Sequence, residues 1–226
     1  MNIKRSIQRV ASVSWIKSLY VNLYYFGLRK ALKFPILLGH NVILNNLGAK
    51  DALEVPMNFG SLCFALKGGP FALGDNESYW HIGKGAKLII KGTCRFSKGT
   101  NMKLFDNAVL EIGDGFTSNA NLIVSCANHI TFGADNLLGW NITIMDNDGG
   151  HQVLKDGLEV NTPKPIFFGD HVWIASECSV LKGSKVSSGA VIGYKSNVCG
   201  LICDKENAVI VGNPAKVKSD SVRWEH

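Results

Sequence analysis

The chain is 226 residues long, which suits one domain and is enough for a sizeable core. With 46% hydrophobic residues, 19% charged residues and a mean hydropathy of +0.09, the composition excludes a disordered chain and a wholly membrane-embedded one. The net charge of +6 is unevenly distributed, since residues 1–50 hold eight basic residues and no acidic one, which leaves 16 basic against 18 acidic residues in 51–226. A nucleic-acid-binding domain spreads basic residues over its folded face, so we expect no nucleic-acid partner.

Residues 2–33 are predicted to form a basic amphipathic helix within an N-terminal segment, 1–35. Apolar residues recur at three- and four-residue spacing, whereas Lys4, Arg5 and Arg9 lie on the opposite side. Pro35 ends the pattern, because the residue before a proline is pushed out of helical geometry. Two roles fit this segment and can hold together: contact of residues 1–33 with an anionic membrane surface, and a cap over the open end of the next domain.

The cysteines and the absence of export signals predict a cytoplasmic protein. No CxxC pair occurs, and most of the cysteines lie in aliphatic runs, which favours reduced thiols. We find no clean signal-peptide core and no run of about 18 apolar residues that could span a bilayer. We expect a cytoplasmic chain, held at the inner face of the membrane if the N-terminal segment binds lipid. The cysteines are Cys63, Cys94, Cys126, Cys178, Cys199 and Cys203.

From about residue 36 the hydrophobic pattern changes to a period of six. Residues 168–203 divide into the hexads FGDHVW, IASECS, VLKGSK, VSSGAV, IGYKSN and VCGLIC. The first place always holds a large apolar residue and the fifth is mostly small. This period is neither that of an amphipathic helix nor that of an alternating strand, and it is typical of a repeat architecture. The first-place residues are Phe168, Ile174, Val180, Val186, Ile192 and Val198.

Short strands that turn at small or glycine-rich corners can stack as a prism. Each strand then points one large side chain inward, above its equivalent in the next coil at the strand spacing of ~4.8 Å. Because a coil buries its inner face only against its neighbours, the two ends need caps. We therefore predict a mainly β fold: a parallel β-helix over 36–203 with a loop excursion at about 146–166, followed by a C-terminal cap or tail over 204–226.

Three further stretches accompany the hexads: ITIMDNDGGHQV (142–153), TPKPIFFGDHVWIASECSVLKG (162–183) and AVIVGNPAKVK (208–218). Together they resemble the hexapeptide-repeat acyltransferases, in particular the branch that O-acetylates sugars. Residues 19–42 are similar to the leader of bacterial surface-polysaccharide members, so the resemblance covers nearly the whole chain. It implies a left-handed β-helix and a homotrimer with an active site at each subunit interface. It also implies acetyl-CoA as the acyl donor, lying along the C-terminal coils, with no metal required.

Transfer of an acetyl group to a sugar hydroxyl needs a general base, and histidine suits that role near neutral pH. His151 lies where a regular coil ends and the excursion begins, which is where sites are usually built on a rigid scaffold. The resemblance implies that His151 takes the acceptor's proton and that transfer is direct, without an acyl-enzyme. Asp146 or Asp148 is predicted to orient the imidazole. Two glycines separate Asp148 from His151 where the related loop has one residue, which leaves open which carboxylate reaches the ring.

For the carbohydrate acceptor, the resemblance implies a contact with Asn119. Trp140 and Asn141, on the coil before His151, are further candidates, with a packing role for Trp140 and a corner role for Asn141 as the alternatives. Ala127 stands where related maltose and galactoside acetyltransferases place an acceptor-binding Asp, so we expect an acceptor other than a simple disaccharide.

For acetyl-CoA, the resemblance implies five residues near the C-terminal coils. Trp173 and Ser176 match positions beside the thioester and the pantetheine arm. Gly193 and Tyr194 match a coil whose backbone contacts that arm, and Lys216 matches a basic residue at the nucleotide phosphates.

The resulting prediction is an acetyl-CoA-dependent O-acetyltransferase of a bacterial surface polysaccharide or lipopolysaccharide, or of its precursor. One alternative is an N-acetyltransferase acting on a nucleotide amino sugar. Such enzymes usually carry an N-terminal βαβ unit with a glycine-rich turn, and residues 1–60 contain none. A second alternative is a protein like the γ-class carbonic anhydrases, but the closely paired histidines of that class are absent. An inert scaffold would not need the loop that carries His151.

Overall fold

The computed structural model describes residues 11–67 and 76–225. Within them, helix α1 spans Trp15–Ala31 and is followed by three sheets and a hairpin. Sheet 1 consists, in spatial order, of β1 (Ile36–Leu38), β4 (Leu62–Leu66), β7 (Cys94–Ser97), β10 (Phe116–Ser118), β13 (Leu137–Leu138), β18 (Trp173–Ile174), β21 (Val191–Ile192), β24 (Val209–Gly212) and β25 (Ala215–Ser219).

Sheet 2 consists of β2 (Val42–Asn46), β5 (Ser78–Ile82), β8 (Asn101–Leu104), β11 (Leu122–Cys126), β14 (Ile142–Met145), β19 (Ser179–Leu181) and β22 (Asn197–Cys199). Sheet 3 consists of β3 (Leu53–Glu54), β6 (Lys87–Ile90), β9 (Val109–Ile112), β12 (His129–Phe132), β17 (Ile166–Phe168), β20 (Lys185–Val186) and β23 (Ile202–Cys203). The hairpin pairs β15 (Leu154–Lys155) with β16 (Leu158–Glu159).

Successive strands pass from sheet 1 to sheet 2 to sheet 3, and neighbours within each sheet are parallel, except that β25 runs antiparallel to β24. This is the parallel β-helix that the hexads predict, and it is consistent with the left hand that the resemblance implies. All six first-place residues, from Phe168 to Val198, are fully buried. The regular coils continue past residue 203, since β24 carries the buried Ile210 as the next inward residue of sheet 1.

The interior changes character along the axis. In the earlier coils it is filled by a column of phenylalanine rings, whose neighbouring centroids lie 4.6–5.4 Å apart, whereas the later coils use isoleucine and valine. Aromatic pairs at this separation pack favourably. The rings belong to Phe64, Phe96, Phe116, Phe132 and Phe168.

Helix α1 covers the exposed edge of β1 with polar side chains. The Asn22 amide donates to the Ile36 carbonyl at 2.8 Å, and its oxygen accepts from the Ile36 N–H at 3.2 Å. The Ser18 hydroxyl accepts from the Leu38 N–H at 2.9 Å. Both side chains are fully buried. They satisfy backbone groups that a first strand would otherwise leave unpaired, so the predicted cap is present in this structure.

The continuous helix predicted over residues 2–33 is interrupted. Val13 forms an isolated bridge with Gly39, and Gly27 has φ 68° and ψ 171°, which breaks the helical backbone inside α1. Residues 1–10, which include the first nine residues of that predicted helix, lie outside the described residues. No helix in the described ranges is long and apolar enough to cross a bilayer.

Replacing Asn22 with Ala should lower the free energy of unfolding by about 1–3 kcal/mol, because two buried backbone groups of Ile36 lose their partner. Urea unfolding followed by circular dichroism measures the loss. Asn101→Ala is the matched control, since Asn101 is exposed on sheet 2 and should change stability by less than about 0.5 kcal/mol. Equal losses in the two variants would contradict the capping role.

Candidate active site

The predicted site residues lie at two different corners of the prism. Asp146, Asp148 and His151 follow β14, at the corner between sheets 2 and 3. The remaining candidates lie on sheet 1, on β25, or at the corner between sheets 1 and 2. A single chain therefore does not gather all of them into one pocket. The candidates of this second group are Asn119, Trp140, Asn141, Trp173, Ser176, Gly193, Tyr194 and Lys216.

Asp146 is a buried clamp between two coils. Its carboxylate accepts the backbone N–H groups of Ala127 at 2.6 Å and Asn128 at 2.8 Å, and the side chain is fully buried. Asp106 binds the Lys84 N–H in the same way at the same corner, two coils earlier. No hydrogen bond joins Asp146 to the imidazole of His151 anywhere in the described structure. The contact that would orient the base is therefore absent, because both carboxylate oxygens are already occupied by the backbone below.

Asp148 belongs to a second cluster, at the base of the excursion. Its carboxylate accepts from the Lys182 ammonium at 2.5 Å and from the Asn161 amide at 2.7 Å. The hydrogen bond and charge of Lys182, together with the Asn161 amide, hold the pKa of Asp148 below its usual value. Asn161 also donates to the His151 carbonyl at 2.9 Å, and its own side-chain oxygen accepts from Val153 N–H at 2.6 Å.

This second cluster fixes the backbone at His151 while leaving its side chain exposed. The His151 N–H lies 3.4 Å from the Asp148 carbonyl, and Gly149 and Gly150 both adopt positive φ to make the turn. Within the described residues, no side chain makes a hydrogen bond to the imidazole. The ring thus projects from an anchored backbone and is free to meet a substrate.

Asn161 and Lys182 are the residues that sequence reasoning missed. Lys182 lies 34 residues from Asp148 along the chain and one coil further along the axis, so no local spacing links the two. A polar residue such as Asn161 inside a non-repeating segment is also indistinguishable from an ordinary loop residue. Only the folded excursion brings them together.

At the corner between sheets 1 and 2, asparagines form a hydrogen-bonded ladder from coil to coil. The Asn121 amide donates to Asn141 at 2.9 Å, and the Asn141 amide donates to Glu177 at 2.9 Å. All three residues have positive φ. Asn141 therefore occupies a corner position, and the structure does not bring it to His151, which lies beyond the far end of β14.

Asn119 and Gly193 occupy equivalent positions at that corner, in different coils. The Asn119 N–H donates to the Leu138 carbonyl, and the same bond recurs at Gly139, Ala175 and Gly193 in the following coils. Three coil steps separate Asn119 from Gly193, or about 14 Å at the normal strand spacing. An extended ligand lying along this corner could contact both residues.

The donor candidates differ in how accessible they are. Trp173 is 37% exposed on the outer face of sheet 1, and Tyr194 is 60% exposed at the corner. Ser176 is buried, and its hydroxyl accepts the Trp140 N–H at 3.1 Å, which ties it to the turn of the preceding coil. Lys216 lies opposite Val211 on the antiparallel pair that ends sheet 1.

All six cysteines are free thiols. Burial raises the pKa of the Cys126 thiol, and the neighbouring Asp146 carboxylate raises it further. No three His, Cys, Asp or Glu side chains in residues 11–67 and 76–225 converge in an arrangement that could hold a metal ion.

Comparison with known proteins gives two relatives. "Putative lipopolysaccharide biosynthesis O-acetyl transferase WbbJ" of Escherichia coli K12 is 28% identical over 133 residues, which cover 54% of this chain and 67% of that protein. "Putative acetyltransferase YJL218W" of Saccharomyces cerevisiae is 36% identical over 114 residues, which cover 47% of this chain and 53% of that protein. This chain thus spans about two thirds of one relative and about half of the other. No family model matches the chain.

Both relatives are named as acetyltransferases, and this chain is similar to them over about half of its length. Its coils form a parallel β-helix. The same fold occurs in the polysialic acid O-acetyltransferase OatWY, whose crystal structure superposes with a TM-score of 0.50 at 18% identity, covering 84% of this chain and 87% of that one. At that identity the likeness concerns the fold alone.

Asp146→Ala should reduce the stability of the protein, and Asp148→Asn should not. The first change removes a buried carboxylate and leaves the partly buried N–H groups of Ala127 and Asn128 without that partner, at a cost of about 1–3 kcal/mol. The second removes one charge from a partly exposed ion pair, and ion pairs near the surface contribute about 0–1 kcal/mol. Chemical unfolding of both variants distinguishes the clamp from the loop anchor. A larger loss for Asp148→Asn would reverse the two assignments.

Proposed function

We propose that this chain transfers the acetyl group of acetyl-CoA to a sugar hydroxyl of a bacterial surface polysaccharide, a lipopolysaccharide or a precursor of either. The observation that carries the proposal is the exposed imidazole of His151 on a backbone anchored by Asp148, Asn161 and Lys182. The name of the Escherichia coli relative supports the class of acceptor. The names of both relatives, which are called acetyltransferases, support acyl transfer.

In the proposed mechanism, His151 accepts the proton of the acceptor hydroxyl as the oxygen attacks the thioester carbonyl carbon. The C–S bond then breaks, and the protonated imidazole returns its proton to the departing thiolate, so that the products are the acetyl ester and CoA. Because the Asp148 carboxylate is held by Lys182, its part in this proposal is to anchor the loop rather than to touch the ring. Asp146 contributes by clamping the coil that the loop leaves.

The donor is proposed to lie along the corner between sheets 1 and 2 and on the adjoining face of sheet 1. Trp173 and Tyr194 offer exposed rings there, and Gly193 directly precedes Tyr194 at the corner. Lys216 supplies a positive charge at the end of the same sheet. Asn119 lies three coils from Gly193, and its proposed role is to contact the acceptor.

Because the base and the proposed donor strip lie at different corners of one chain, a complete site needs a second copy. A homotrimer would place the corner that carries His151 in one subunit against sheet 1 of the next. The assembly itself is part of the proposal and is measured directly by sedimentation or light scattering.

His151→Ala should lower turnover by about 10²–10⁴-fold, because no other group at this corner can take the hydroxyl proton. Acetyl-CoA turnover with isolated surface glycan measures the loss, and light scattering checks that the assembly is intact. Gln152→Ala, at the exposed neighbouring position, is the control and should retain activity. Near-normal turnover by a correctly assembled His151→Ala protein would exclude the mechanism.

The acceptor is tested on glycan from cells with and without the enzyme. Mass spectrometry should show the loss of one acetyl group per modified sugar when the enzyme is missing. Mild alkali should remove the same group from wild-type glycan, since esters are cleaved and amides are not. An alkali-resistant acetyl group would indicate N-acetylation instead.

We further propose that α1 contacts an anionic membrane surface. Its buried side combines Val21 and Tyr25 with the polar Ser18 and Asn22, and other apolar residues of the helix face outward. Ile16 is 84% exposed, Tyr20 is 56% exposed, and Leu23 follows them on the same face, at i, i+4 and i+7.

The charges beside this apolar face support an anionic partner. Arg29, Lys30 and Lys33 are exposed, and within the described residues none of them has an acidic partner. Leu28 and Leu32, 68% and 63% exposed, lie among them. Apolar side chains interleaved with bases are typical of helices that lie in a membrane interface.

Replacing Ile16 and Leu23 together with Ser should abolish most binding to vesicles that contain anionic lipid, as measured by co-sedimentation. Lys30→Gln should weaken binding about fivefold, since a basic residue near such a surface contributes about 1 kcal/mol. Ile43→Ser, on the exposed face of sheet 2, is the matched control. Unchanged binding by the double variant would leave α1 as a cap alone.

A further inference from the structure

The C-terminal residues 220–225, here called the C-terminal strap, run back along the corner between sheets 3 and 1. The strap leaves β25, and Lys205 pairs with Asp220 at 3.0 Å. The Val222 N–H then donates to the Asn207 carbonyl at 2.9 Å. Two residues later Trp224 reaches the level of His171, two coils below Asn207.

Trp224 anchors the strap. It is 9% exposed, whereas Arg223 and Glu225 on either side are exposed. Its ring stacks on the imidazole of His171, with centroids 3.9 Å apart and planes 6° apart. The indole N–H donates to the His171 carbonyl at 3.0 Å, and His171 Nε2 lies 3.1 Å from the Trp224 carbonyl oxygen.

The other side of His171 faces a carboxylate. Its Nδ1 lies 2.6 Å from Asp135 on the coil below. Both ring nitrogens therefore face acceptors, and only the doubly protonated ring can donate to both. Burial lowers the pKa of His171, but the hydrogen bonds to Asp135 and Trp224 outweigh it and raise the pKa above its usual value. The charged groups around it are Asp135 on the coil below, Arg223 and Glu225 on the strap, and Asp170 on its own corner.

The strap meets the proposed donor site at Trp173. The Trp224 and Trp173 centroids are 6.1 Å apart, at an angle of 43°. Trp173 lies on sheet 1 two residues after His171, and its outer side remains exposed. Trp224 thus stands on one side of this ring and restricts the directions in which it can turn.

We infer that the C-terminal strap forms one wall of the acyl-donor site, in which His171 and Trp224 are positioning residues that hold Trp173 against the pantetheine arm of the donor. The inference rests on the proposed function, because it assigns the strap to the same acetyl-CoA site. It extends that site to residues at a third corner, between sheets 3 and 1.

Trp224→Ala should raise the Kd for acetyl-CoA about tenfold, measured by calorimetry on the full-length protein. The KM for acetyl-CoA should rise with it, while kcat and the KM for the glycan stay close to wild type. Trp224→Phe should recover most of the affinity, because it keeps the stacked ring. Phe59→Ala, an exposed aromatic residue away from sheet 1 of the later coils, is the control.

The role of His171 is tested by pH. Since the strap favours the protonated ring, its contribution is complete below about pH 6.5 and is lost as the pH rises through the raised pKa of His171. The ratio of wild-type affinity to His171→Gln affinity should therefore fall as the pH rises. A constant ratio, or wild-type affinity in Trp224→Ala, would overturn the inference. If the wild-type protein does not bind acetyl-CoA at all, the proposed function fails and the inference fails with it.

Discussion

The structure depends on one interaction, the parallel backbone ladder that joins each coil to the next. Short strands of two to five residues cannot be stable alone, so every coil takes its hydrogen bonds and its buried surface from its two neighbours. The first and last coils each lack one neighbour, so their open strand edges cost free energy unless another segment covers them. Asn22 and Ser18 close the first strand with side chains, and β25 folds back to close the last one. Both terminal segments serve the same purpose, which is to satisfy the backbone groups at the two ends of the β-helix.

That ladder also explains why aspartate residues have two structural roles in this chain. At the corners a carboxylate bridges the N–H groups of the preceding coil, as Asp106, Asp146 and Asp170 do. An Asp beside a candidate base is then ambiguous, because the scaffold uses the same residue type for its own turns. Asp148 differs in lying beyond the coil, where it meets Lys182 and Asn161 instead of backbone. The excursion anchors His151 at a point where its side chains no longer bind the backbone of the neighbouring coil.

Much of the scaffold could be predicted from particular residues. The hexads from Phe168 to Val198 identified the inward positions of three sheets, since a period of six in which one large residue recurs matches no other regular structure. The earlier coils were harder to predict. There a column of phenylalanine rings takes the place of the aliphatic residues. The way in which these rings stack from coil to coil is visible only in the folded structure. The helix was located, but its interruption at Val13 and Gly27 was missed, because both result from contacts and backbone angles that periodicity does not encode.

By itself the sequence determined the type of fold, the inward residues and the position of the excursion, and it singled out His151 as the candidate base. These follow from local rules, namely the repeat period, the turn residues and the chemistry that a histidine can perform. The tertiary structure alone decided the partners: Lys182 and Asn161 for Asp148, the clamp role of Asp146, the Asn141 ladder, and Trp224 beside Trp173. The physical reason is that coil stacking and the returning C-terminal strap bring into contact residues that are 18 to 53 positions apart in the sequence. Such sequence separations have no local signature in the chain.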